Sequence, residues 1–112
     1  MSRLLIQKEY DDKLREDSEI SKIVGTNLFR LRDTSQTSEG LDVSNALLAN
    51  LTALSRVSIW RFEHGESGMT VATLVRLKEA FGCSWEDLLG GCESNIVKER
   101  KRFTGEIKRK KR

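Results

Sequence analysis

Read for apolar spacing alone, the chain divides into five helical stretches separated by Ser, Thr, Asp and Gly. Ile20, Val24, Leu28 and Leu31 recur at i, i+4, i+8 and i+11, the repeat of one helix face, so a first helix is expected to start at Ser18 or Ser21 and end at Arg32. Ser44 is a good N-cap for Ala46-Leu47-Leu48-Ala49, and Thr52-Ala53-Leu54 breaks that run. Ser55 caps a third helix, Ser55 to Glu63, which Gly65 stops as a glycine just past a C-terminus. In it Leu54 (ahead of the cap), Ile59 and Phe62 share one face, leaving Arg56, Val57, Trp60 and Arg61 turned away from the core. Thr70 caps a fourth helix whose core stripe is Leu74, Leu77, Ala80 and Phe81 and whose end is Gly82. Ser84 with Asp87 makes a capping box for a last short helix, Trp85 to Leu89, closed by Gly90-Gly91. With no proline, few β-branched runs and many Leu, Lys, Arg and Glu, the class is all-α.

The stretch Ser44 to Gly65, SNALLANLTALSRVSIWRFEHG, reads as two short helices meeting around a tight turn, a helix-turn-helix. SRVSIWRFEHG resembles the second half of the phage repressor/Cro helix-turn-helix, the XRE-type family. VGTNLFRLR (residues 24–32) is similar to that family's first helix, and TLVRLKEAFGCSWEDLLGG (residues 73–91) to its fourth and fifth. The resemblance covers residues 20–91 and implies a five-helix lambda-repressor-like DNA-binding domain that works as a homodimer on double-stranded DNA. It implies that Asn45 touches phosphate or the outermost base, and that Ser55, Arg56, Val57, Ser58, Trp60 and Arg61 form the surface presented to the major groove. It also places Arg32 and Glu63 at positions that form a partly buried ion pair tying helix 1 to helix 3. Such a pair fixes orientation more than it adds stability, because desolvation opposes the Coulomb gain. The last helix and the loop before it help form the family's dimer contact, which leaves Trp85 as either core or interface.

The chain also departs from the family. Residues 33–43, DTSQTSEGLDV, form a longer connection between helices 1 and 2, either a plain surface loop or an added backbone contact that Glu39 and Asp42 oppose. Ala53 stands where the family commonly has glycine in the turn. His64 and Glu66 stand where it often has cations. Leu47 and Leu51 make an apolar pair on a helix face the family keeps charged, and residues 4–14 of the same chain or of a partner are the expected cover.

Composition changes the picture at the two ends. The 112 residues carry a net charge of +3, yet residues 97–112 hold nine Lys/Arg against two Glu, a local +7 on a body of −4. The organisation is therefore an acidic N-terminal arm (1–19), the helix-turn-helix domain (20–91) and a basic C-terminal tail (92–112). A basic end is the usual footprint of phosphate contact, so Lys108, Arg109 and Lys110 join the DNA-binding set, with a solubilising tail as the alternative. The arm, with Leu4-Leu5-Ile6, Tyr10 and Leu14 among acidic residues, is a segment compatible with helix that either docks on its own domain, on a second subunit, or extends partly ordered.

Other classes are disfavoured by what is missing. No window approaches the apolar length of a membrane span and the first residues are too charged for a secretory signal, so a cytoplasmic protein without a membrane partner is expected. Cys83, Cys92 and the single His64 lack metal-ligand company, and the cysteines are read as reduced thiols, Cys83 in the core. No Cys–His pair at useful spacing, phosphate loop or HExxH occurs, so no enzyme, metal or cofactor is expected. The expected function is a sequence-specific transcriptional regulator, a repressor. The alternative is an antitoxin-like or other protein-binding module that engages a partner protein through the arm.

Overall fold

Residues 3–92 and Lys110 are described by the computed structural model of the chain. The described residues form five helices and no strand: α1 (Arg3–Thr34), α2 (Asn45–Thr52), α3 (Arg56–Glu63), α4 (Val71–Phe81) and α5 (Trp85–Leu89). α1 packs on α3 and α5, α2 on α3 and α4, and α4 on α5.

The largest departure from expectation is α1. It does not start at Ser18 or Ser21 but runs unbroken for 32 residues, about 48 Å, from the arm into the domain. Its first half is rich in good helix formers, and opposite charges recur four residues apart (Glu9 and Lys13, Lys13 and Asp17, Arg15 and Glu19), which sustains helix through Asp17-Ser18. Gln7 Nε2 also donates to Asp11 Oδ1 at 3.0 Å. The far end overruns Arg32 by two residues, within the ordinary fraying of a helix terminus.

The other ends are set by local chemistry as expected. The Oγ of Ser44, Ser55 and Ser84 and the Oγ1 of Thr70 each accept from a backbone N–H three residues on, and Asp87 completes the capping box. Gly82 stops α4 in the left-handed region at φ 61°. The core gathers Leu28, Leu48, Ala49, Ile59, Phe62, Leu77 and Leu88, with Leu31, Leu54 and Phe81 packed against it. Three expected core residues lie outside it, one of them Leu74, which is half-buried on α4. Ile20 is 37% exposed, because the buried stripe of α1 starts a turn later at Val24, and Ala80 is exposed on the outer side of α4.

The connection 35–43 is a closed turn rather than an open loop. Gln36 and Asp42 form an antiparallel bridge, Thr37 N donates to Leu41 O at 2.8 Å, and Gly40 takes φ 81°. This turn, Val43, Ala80 and Phe81 flank Leu47 and Leu51 in a shallow apolar groove. Among the described residues none of 4–14 lines that groove, and Leu51 is 61% exposed. α1 runs unbroken through the arm, which therefore continues the helix instead of folding back.

Candidate nucleic-acid interface

The two helices of the motif are joined by Ala53 and Leu54. Ala53 sits in the left-handed region (φ 57°, ψ 31°) and its N–H bonds back to Ala49 O, which ends α2 in the geometry a glycine usually supplies. Ser55 then caps α3: its Oγ accepts from Ser58 N at 3.0 Å and its hydroxyl donates to Ser58 Oγ at 2.8 Å. Both serines of the expected DNA-binding set are thus engaged with each other at the helix start.

α3 divides as its spacing requires. Ile59 and Phe62 are buried and Leu54 is packed on the core, while Arg56, Val57, Trp60 and Arg61 are exposed along the opposite side. Trp60 stacks on His64 one turn later, with ring centroids 3.9 Å apart, and His64 Nδ1 lies 2.7 Å from Trp60 O. The indole is therefore held by a local partner and still 47% exposed.

The helix is braced from behind. Arg32 Nε donates to Glu63 Oε2 at 2.7 Å and Nη2 to Oε1 at 3.1 Å, a two-pronged pair, and Nη1 reaches Val43 O at 3.3 Å. The Glu63 side chain is only 4% exposed, and its hydrogen bond holds the Arg32 guanidinium more firmly protonated than usual. Two glycines allow the elements to touch. A Cβ on Gly25 would stand 2.2 Å from Phe62 O, so α1 and α3 meet backbone to backbone there; Gly65, at φ 68°, lies against Lys22, where a Cβ would be 2.8 Å from its Cα.

Asn45 is the first residue of α2 and half-buried, and its Oδ1 is buried with no hydrogen-bond partner. Lys110 is exposed, whereas Lys108 and Arg109 lie outside the described residues. Trp85 is not core: it is exposed on α5 with Lys78 Nζ 5.5 Å from its ring centroid. Cys83 and Cys92 are free and half-buried, and burial pushes both thiols up, towards the inert neutral form. Asp87 is held below the usual carboxylate range, first by the backbone N–H of Ser84 and then by its hydroxyl.

Spacing did not reveal Asn27 or Gly25. Asn27 is buried and its Nδ2 donates to Leu88 O and Gly90 O, each at 2.9 Å, tying the end of α5 to α1. The available signal was a polar residue and a glycine flanked by Val24 and Leu28, which marks a close approach rather than a surface. Among the described residues, no cluster of His, Cys, Asp and Glu is placed to hold a metal, and no helix is long and apolar enough to cross a membrane. No family model and no curated protein matches the chain.

Proposed function

We propose that this chain is a cytoplasmic, sequence-specific DNA-binding regulator of the phage repressor/Cro type, with a lambda-repressor-like domain acting as a homodimeric repressor. The observation that carries the reading is α3 itself, a capped and braced helix whose outward side holds Arg56, Val57, Trp60 and Arg61 together. Arg56, in its first turn, has the donor geometry for guanine O6 and N7; Val57 suits a thymine methyl; Trp60 suits sugar or methyl groups; Arg61 reaches a base or a phosphate. Asn45 at the start of α2 contacts the backbone, and Lys108, Arg109 and Lys110 of the tail add phosphate contacts that the loop after α3 lacks. Two copies meeting through α5 and its exposed Trp85 set half-sites about one helical turn apart. Operator occupancy is then the repressing event.

Selection of duplexes from a random pool by the full chain tests this. Enrichment of a two-fold symmetric site supports it; binding that ignores sequence, or none at moderate salt, refutes it. A second reading, an antitoxin-like module whose arm engages a partner protein, is favoured by the exposed apolar Tyr10 and Leu14 on α1. If purified protein shifts DNA from its own upstream region with no partner present, the first reading holds over the second.

A further inference from the structure

α3 ends on an aromatic pair whose hydrogen bonding fixes where a proton can go. His64, the C-cap, stacks on Trp60 with ring centroids 3.9 Å apart and planes 21° from parallel, and both side chains are exposed. Trp60 O lies 3.0 Å from the backbone N of His64, which donates to it, and 2.7 Å from the imidazole Nδ1. A carbonyl oxygen only accepts, so Nδ1 carries a hydrogen and donates as well. In a neutral imidazole one nitrogen alone is protonated. The bond to Trp60 O therefore leaves Nε2 as a bare acceptor, directed away from that carbonyl.

The place of this acceptor matters to a polyanion. A recognition helix puts its N-terminal residues on base edges, and His64 follows Arg56 by eight positions, about 12 Å at 1.5 Å per residue, which brings it out towards the groove wall and its phosphates. A bare Nε2 and a phosphate oxygen are both acceptors and oppose each other. Protonation makes Nε2 a charged donor, while Nδ1 keeps its bond to Trp60 O and the indole face suits the cation stacked on it. The charged groups around the ring are Arg61 on its own helix, Glu66 two residues on, and Lys22 of α1 against Gly65; Glu63 is engaged by Arg32, and α2 carries no titratable side chain. His64 is also the only histidine in the chain, the side-chain type whose charge ordinarily changes between about pH 5 and 8. On the reading of α3 as the DNA-contacting helix, we propose that DNA binding by this chain takes up a proton at His64 Nε2, which then donates to a phosphate. Site occupancy thus strengthens as pH falls.

The test begins with the full chain free of DNA, by nitrogen NMR of its single imidazole. In the neutral ring the hydrogen should be on Nδ1, and a hydrogen on Nε2 instead overturns the inference. Affinity for the duplex selected from a random pool is then measured at about pH 5 and about pH 8. Proton uptake predicts binding about tenfold tighter at the lower pH, and there a slope of log K against log salt steeper by about 0.9, as one added phosphate contact requires. His64→Gln, polar but without the charge, should bind alike at both values, near the level of the unaltered chain at the higher pH. His64→Lys, a fixed cation, should also bind alike at both, near the level at the lower pH. Equal affinity of the unaltered chain at the two values, or a pH dependence that survives in His64→Gln, removes the proton link and leaves the DNA reading standing. A chain that selects no site removes both.

Discussion

Along residues 20–34 of α1, Val24, Asn27 and Leu28 are buried, Arg32 grips Glu63, and Gly25 lets α3 touch the backbone; along residues 7–17, every described side chain except the half-buried Glu16 is exposed. One continuous helix thus contains two different causes of helicity. The second half is helical because burial of its stripe against α3 and α5 rewards it. The first is helical through residue propensity and charges four apart, contributions of a few tenths of a kcal/mol each. The first half is therefore expected to open without the domain, whereas the second opens only when the core does.

The sharpest way to break this contrast is to truncate one leucine in each half. Leu28→Ala removes a fully buried side chain and should lower unfolding free energy by about 2–5 kcal/mol. Leu14→Ala should change it by less than about 0.5 kcal/mol, because half of that side chain already lies in water. Urea unfolding of the two variants decides, and equal losses would mean that the arm belongs to the cooperative unit.

Next in size is the brace. Arg32→Ala leaves Glu63 buried without its partner and should cost about 3 kcal/mol, while Arg32→Met combined with Glu63→Leu should recover most of it. If the double variant is no better than the single one, the pair contributes attraction rather than orientation. A smaller effect of opposite sign is expected in the turn that holds α3 against this half of α1. Ala53 is exposed and left-handed, so Ala53→Gly relieves about 1–2 kcal/mol of backbone strain against a smaller entropy cost, a net gain of about 0.5–1 kcal/mol in denaturant midpoint analysis.

The smallest effect concerns α5, which docks on the packed half. The folded carboxyl of Asp87 titrates below its unfolded value, so its contribution is present above the ordinary carboxylate range and is lost as pH falls through the folded value. Asp87→Asn should flatten the acid limb of a stability-against-pH curve slightly and leave the neutral limb unchanged in slope. An unaltered acid limb would remove the capping box from the account.

The contrast also explains which features were legible in the sequence. Ser44, Ser55, Thr70 and Ser84 were legible as caps because capping is decided within three residues. The inward and outward sides of α3 followed from spacing, and the pairing of Arg32 with Glu63, which the geometry shows, was expected from a family resemblance. The start of α1 was not legible. Asp17-Ser18 carries the chemistry of a helix start, yet the charges on either side sustain the helix through it. Asn27 and Gly25 were missed for the complementary reason, since their roles depend on Leu88, Gly90 and Phe62, which only the fold brings near. The exposure of Ile20 and Ala80 has the same origin: each lies at the edge of its apolar stripe, where the partner helix, not the period, decides burial.

The central claim is that the outward side of α3 reads base sequence, and Arg56 is its most exposed test, standing in water in the first turn with no part in the core. Affinities of the unaltered chain and of Arg56→Ala should be compared on the selected site, on that site with each base pair changed in turn, and on unrelated duplex at the same salt. The account predicts a loss of about 1–3 kcal/mol on the selected site, a relaxed preference at one base position, and nearly unchanged binding to unrelated DNA. An equal loss on all three would make Arg56 a phosphate clamp and contradict the assignment of this helix side as the reader.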